Sequence, residues 1–258
     1  MGTGGFIING MVGMRFRGGY LTSLVGVINI SSREPNLWLN MIIRDNNNIK
    51  TGINISRGGV QIGDDKSNTF TGDVNIKGDS ALYIGKSNGA IAISGNMNVK
   101  DGAKVVSYRT GQIAKHVRVS LESSGTNASR LLLEYGVQES FRELNVDGKG
   151  IVEFQYNSKL ILDELNVGLG DSLTVLNWKN GKNLFLVRKT STHIKNSLSH
   201  IIFQGQSGRV HLEDYNKDYW GLTTAPEPAT TSAIVVGLGL GIAAHRRRRR
   251  ILNLRCGG

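Results

Sequence analysis

Val74-Asn75-Ile76-Lys77-Gly78-Asp79-Ser80-Ala81-Leu82-Tyr83-Ile84-Gly85 holds two short apolar alternations on either side of a glycine-containing turn. A period of two puts Val74 and Ile76 on one side of an extended backbone and Asn75 on the other, the pattern of a half-buried strand. The unit recurs along the chain. Its first strand reads Ile28-Asn29-Ile30, Ile53-Asn54-Ile55, Val74-Asn75-Ile76, Met97-Asn98-Val99, Leu144-Asn145-Val146 and Leu165-Asn166-Val167, at spacings of 25, 21, 23, 47 and 21 residues. The widest interval has room for one degenerate copy, placed at Val117-Arg118-Val119, which keeps the period in the low twenties.

The second half of the unit repeats as well. Residues 55–63 line up with 76–85 once one residue is inserted, and 99–106 keep the pattern. A coil of two short strands cannot satisfy its backbone or bury its apolar side alone, whereas stacked coils give each strand a neighbour above and below. The spacing therefore predicts an all-β chain built as a right-handed parallel β-helix over residues 28–205. The apolar pair of each triplet should enter a common core, with Asn between them along one outer face. Eight or so coils at about 4.8 Å would make a rod roughly 40 Å long. Leucine-rich repeats have a similar period but need a Leu-x-x-Leu-x-Leu pattern that is absent. No stretch here carries a sustained helical stripe, the nearest being Leu131 to Tyr135.

The remaining segments follow from this repeat. Residues 1–27 read as a truncated N-terminal coil; their apolar, glycine-rich start lacks the basic residues and cleavage site of a secretory signal, which implies either that the protein stays inside or that this start is internal. Residues 206–225 read as a terminal strand and linker. Asn180-Gly181 is a turn expected to form a hairpin that caps the last coil. After Pro226-Glu227-Pro228 come sixteen mostly apolar residues, 229–244, then His245 and Arg246, Arg247, Arg248, Arg249 and Arg250. At about 1.5 Å per residue these sixteen reach roughly 24 Å as a helix, a short membrane span, and the arginines are the end that stays cytoplasmic.

Two resemblances add to these readings. Asn68 to Ile76, followed by Ser80 to Gly85, resembles the autotransporter-associated β-strand repeat of bacterial surface passenger domains, with Asp73 where that repeat usually has a second glycine. Residues 226–250 resemble the PEP-CTERM sorting signal, with residues 251–258 as an extra tail past the usual end. Residues 170–187 and 201–205 look like the closing strands of PEP-CTERM proteins with such repeats. The resemblance implies an exported protein of a Gram-negative-type bacterium, transiently anchored in the inner membrane through 229–244. An exosortase would recognise Pro226, Glu227 and Pro228, and processing would deliver the body to the cell surface or extracellular matrix. It implies a non-enzymatic, adhesin-like or structural passenger with extracellular polysaccharide as a partner.

Charge and chemistry narrow the alternatives. Of 31 Lys and Arg, six lie at Arg246–Arg250 and Arg255, which leaves 25 against 20 Asp and Glu, a body charge of +5. So small an excess gives no basic patch that demands an anionic partner, and nucleic acid is not expected. Cys256 is the only cysteine, so no intramolecular disulfide or thiolate metal cluster can form. The five histidines show no metal-ligand spacing, and no cofactor or metal is expected. The alternative is a secreted β-helical polysaccharide lyase or hydrolase using Asp64-Asp65, Asp163-Glu164 or Glu213-Asp214. Neighbours in one strand point to opposite faces, which favours reading these pairs as solvated turn acids and gives no catalytic residue. The Asn of the triplets form either a stacked, solvated row or a glycan-binding ladder, the former being preferred.

Overall fold

The computed structural model of the chain describes residues 6–9, 15–21, 27–31, 37–45 and 49–224. The expected sorting signal at 226–250, its span at 229–244 and the tail 251–258 lie outside these residues. Two units are present, Met1–Gln206 with Val210–Thr223, and Ser207–Arg209 with Thr224–Gly258. The first carries the repeats.

In chain order the strands are β1 (Phe6–Asn9), β2 (Arg15–Leu21), β3 (Val27–Ser31), β4 (Leu37–Ile43), β5 (Gly52–Arg57), β6 (Gly59–Ile62) and β7 (Val74–Lys77). There follow β8 (Ala81–Ile84), β9 (Met97–Lys100), β10 (Lys104–Ser107), β11 (Arg118–Glu122), β12 (Ser129–Leu133), β13 (Gln138–Asp147) and β14 (Lys149–Phe154). The last are β15 (Lys159–Val167), β16 (Ser172–Leu176), β17 (Leu184–Arg188), β18 (Ile201–Phe203), β19 (Val210–Asp214) and β20 (Tyr219–Thr224). Odd-numbered strands to β17 stack in one sheet, which β20 and β19 extend to 11 strands, and the even-numbered strands from β2 to β18 stack in a 9-stranded sheet. Every pairing from β1 to β18 is parallel. The chain is a β-solenoid, with about seven turns in the continuously described residues 49–224. Residues 1–27 hold β1 and β2, with β1 in register on β3. Helix is nearly absent among the described residues, being limited to α1 (Ile194–Ser197) and a 3-10 turn at Leu198–His200. The stretch Leu131 to Tyr135 is not helical: its first three residues belong to β12.

The triplets lie in register as their spacing demands. Ile53 pairs with Val74 and Val74 with Met97, while Asn54, Asn75 and Asn98 fall in one row. Ile55 pairs with Ile76 but Val60 with Leu82, so the one-residue insertion falls in the intervening turn. The degenerate copy is Val119-Ser120-Leu121, not Val117-Arg118-Val119: Val119 pairs with Met97 below and Leu144 above. A shift of two residues preserves the parity of an alternating strand, and Val117 and Val119 are both fully buried, so hydrophobicity alone could not separate the two placements.

Ile53, Val74, Met97, Val119, Leu144 and Leu165 have no exposed surface, and neither do Val60, Leu82, Val105, Leu131, Val152 and Val175 of the other sheet. Each such burial contributes about 1.5–3 kcal/mol, which offsets the ordering of a short strand that would not hold alone. Glycine is required where coils touch backbone to backbone. A Cβ on Gly72 would lie 2.4 Å from the Thr51 carbonyl oxygen, and one on Gly95 1.9 Å from that of Gly72.

The C-terminal end departs from the simple repeat. β13 and β15 bend, with Phe141 opposite Leu162 and Glu143 opposite Glu164, and their first halves form a further side continued by β17. Above the last triplet, α1 takes the place of another strand, and Ser197 Oγ accepts the Val167 N–H at 2.9 Å. Asn180-Gly181 is a turn, closed by the Lys182 N–H on the Lys179 carbonyl with Gly181 at φ 71°, but it joins β16 to β17 in different sheets and makes no hairpin. Instead β20 runs antiparallel on β17, with Val187 opposite Trp220, and β19 follows it. The segment 206–225 thus supplies two strands where one was expected.

Candidate functional site

The triplet asparagines form a hydrogen-bonded row along the solenoid. Asn54 Nδ2 donates to Asn29 Oδ1 at 2.8 Å, Asn75 to Asn54 at 2.9 Å, Asn98 to Asn75 at 2.8 Å and Asn166 to Asn145 at 2.8 Å. The amides satisfy one another at the strand spacing, which is the stacked row expected from the repeat. A shallow groove of about 470 Å³ runs beside it, bordered by Asn54, Asn75, Lys77 and Lys100, and Lys100 is ion-paired with Glu122 at 2.6 Å. Ser120 occupies the row between Asn98 and Asn145 and breaks it in two. Ser120→Asn is expected to join the halves and stabilise the fold by about 1 kcal/mol, read as a higher urea midpoint at unchanged slope.

The three acid pairs do not converge. Asp64 and Asp65 lie in the bend after β6, Asp64 at φ 97° and accepting the Asp65 N–H at 2.7 Å. Asp163 and Glu164 sit at the bend of β15 and not in a turn. Arg188 Nε donates to Asp163 at 2.8 Å, while Glu164 accepts from Ser191 Oγ at 2.6 Å and from the N–H groups of Thr192 and His193. Burial works to raise the Glu164 pKa, but these donors outweigh it and hold the carboxyl below its ordinary range. Glu213 and Asp214 end β19, with Asp214 paired to Lys189. Among the described residues, no group of three or more His, Cys, Asp or Glu is placed to hold a metal ion.

A buried polar column, which the sequence reading did not single out, occupies a corner of the solenoid. Lys86, Gln112 and Glu139 are each fully buried on successive coils. Gln112 Oε1 accepts the Lys86 N–H at 2.6 Å, and Glu139 accepts the N–H groups of Gln112 at 3.1 Å and Ile113 at 3.2 Å. Ser107 Oγ donates to Glu139 at 2.6 Å, and Lys86 Nζ donates to the Met41 carbonyl at 3.2 Å. Each side chain thus closes the turn of its neighbouring coil, supplying backbone groups that have no ladder partner there. Burial pushes the Glu139 carboxyl up to about 7, against the pull of its three donors. Burial likewise lowers the Lys86 ammonium to about 8, with Asp64 and Asp65 opposing the shift. These groups act as structural pins.

The outer face also carries tyrosines that the sequence reading missed. Tyr83 and Tyr108 stack with centroids 6.0 Å apart, and Tyr135 and Tyr156 at 5.8 Å, each pair inclined by 20°. Their spacings of 25, 27 and 21 residues lie close to the coil period, a signal available from sequence had aromatic residues been tested for it.

What the fold and these surfaces define is a parallel β-solenoid with amide and tyrosine rows on its exterior. No family model, characterised protein or solved structure matches the chain. Pro226, Glu227, Pro228 and the arginines 246–250 lie outside the described residues, and no helix among those described is long and apolar enough to cross a membrane.

Proposed function

We propose that this chain is an exported, non-enzymatic cell-envelope protein whose right-handed solenoid serves as an adhesin-like or structural passenger. Its C-terminal segment is a sorting signal: residues 229–244 span the inner membrane as a short helix, Arg246–Arg250 stay cytoplasmic, and an exosortase cuts near Pro226-Glu227-Pro228. The body then reaches the cell surface or matrix. The observation that carries this reading is the order Pro-Glu-Pro, apolar stretch, arginine cluster after a parallel β-solenoid. The non-enzymatic part is supported by the way the acids are spent: Asp163, Glu164 and Asp214 are each tied to a neighbouring coil or strand.

Mass spectrometry of the mature protein from its native host tests the sorting. The expected C-terminus lies near Pro228, and a surface fraction intact through Arg250 would refute processing. Reducing-end and unsaturated-product assays on a glycan panel are expected to be blank. Turnover abolished by Asp163→Asn or Glu164→Gln would establish the lyase or hydrolase reading instead.

A further inference from the structure

We infer that the tyrosine row is a binding track for an acidic polysaccharide, one whose sugars carry carboxylates. This deepens the reading of the chain as a surface protein and rests on it for the source of the ligand.

The row is built by the coil repeat. Tyr83 points outward from β8 between the buried Leu82 and Ile84. Tyr108 directly follows β10, and Tyr135 and Tyr156 are the second residues after β12 and β14, at the same end of the 9-stranded sheet. The N–H groups of Tyr108, Glu134 and Gln155 donate to Ile84, Ser107 and Leu133 of the coils below, so Tyr135 and Tyr156 lie level with each other, one residue past Tyr108 and three past Tyr83 along the strand direction. Four neighbouring strands at about 4.8 Å give a track of roughly 14 Å. Tyr108 is 46% and Tyr135 68% exposed, although buried positions nearby would have hidden a ring whose only duty was packing.

Ring geometry selects the ligand. A pyranose offers a flat face of C–H bonds, which suits the electron-rich face of a tyrosine, while its hydroxyls can reach the phenol. Nucleobases also stack on tyrosine, so an oligonucleotide is the competitor that the test must include.

Charge selects among sugars. Lys104 Nζ lies 5.8 Å from the Tyr83 centroid, and Lys179 and Lys182 lie 5.5 and 5.7 Å from that of Tyr156. All three are exposed, and among the described residues none is in an ion pair, unlike Lys100, Arg118, Arg130, Arg188 and Lys189. The Asn180-Gly181 turn places Lys179 and Lys182 beside the same ring. Glu134 is the acid that faces Tyr108, and with Arg109 exposed in the same stretch the local balance stays positive. A body charge of only +5 therefore conceals a cationic strip laid along aromatic rings, an arrangement that a uronate chain can match at both its faces and its carboxylates.

The test is titration calorimetry of the full chain, purified in mild detergent, against alginate oligosaccharides, a neutral dextran and single-stranded oligodeoxythymidine. Alginate is expected to bind, more weakly as salt rises, with dextran at least about tenfold weaker. Tyr135→Ala, and separately Lys179→Ala with Lys182→Ala, should each weaken alginate about tenfold, whereas Tyr135→Phe should retain it. Unchanged melting of these surface variants separates lost binding from lost fold. Absence of alginate binding, indifference to these substitutions, or tighter binding of the oligonucleotide would overturn the track. None of these outcomes bears on the C-terminal processing measured by mass spectrometry, so either reading can fail without the other.

Discussion

Glu139→Ala is expected to lower the free energy of unfolding by about 2–6 kcal/mol, because two buried N–H groups lose their acceptor at about 1–3 kcal/mol each. The groups stranded are the N–H groups of Gln112 and Ile113, while Ser107 Oγ keeps the Arg109 carbonyl at 3.0 Å. The carboxyl also sets a pH dependence. Its folded value of about 7 stands above the usual 4.5, so the folded state holds a proton that the unfolded chain releases between these values. Stability from protonated Glu139 is therefore full below about pH 4.5 and lost as pH rises through 7, a fall of about 3 kcal/mol at 1.4 kcal/mol per pH unit. Lys86 acts on the other side: its ammonium, lowered from 10.5 to about 8, costs most below pH 8, and the cost is relieved as pH rises toward 10.5. Urea midpoints of the wild type should thus decline between pH 4.5 and 7 and rise again above 8. Glu139→Gln, which keeps one acceptor oxygen and cannot ionise, should lose the decline. A wild-type profile flat from pH 4.5 to 7, or a decline that persists in the Gln variant, would falsify this account.

Phe154→Ala should cost about 3–5 kcal/mol, the range for deleting a large aromatic from a packed core. Phe154 has no exposed surface and meets Trp178 edge-on at 5.3 Å and Phe185 at 5.8 Å, while Trp178 meets Phe203 at 5.0 Å. Four rings, from β14, the connection after β16, β17 and β18, therefore share one contact cluster at the C-terminal end of the solenoid. In a stack of coils that touch only their neighbours the loss stays local. Hydrogen exchange is expected to show protection falling first in β14 to β18, with β5 to β9 little changed, and the near-ultraviolet signal of Trp178 should weaken. Phe154→Leu should cost less than half as much. Uniform loss of protection along the chain would contradict this.

The triplets made the solenoid legible because Asn between two aliphatic residues reports side, register and period together. Where one of the three was missing, as at Ser120, the reading slipped by two residues, since alternation has no memory of absolute position. Glu139 escaped for the opposite reason. Its alternation with Phe141 points it inward, but a carboxylate is assigned outward by residue type, and only the partners on Ser107, Gln112 and Ile113, 26 to 32 residues away, make its burial tolerable. The reversal of direction at β20 left no trace either, because Asn180-Gly181 offers hairpin chemistry at a place where the chain merely turns a corner. The acids at 163 and 164 were read as a turn because the bend within β15 is set by pairing to β13, not by glycine or proline.

That reversal has a consequence for assembly. In a parallel stack the upper rim of one coil matches the lower rim of the next, so a rim left open can template a second molecule and start head-to-tail fibre growth. Running β20 against β17 changes the spacing of donors and acceptors on one side of that rim, while β18 ends the other sheet. On that sheet the edge offered to a second molecule is thus no longer a copy of the one beneath it.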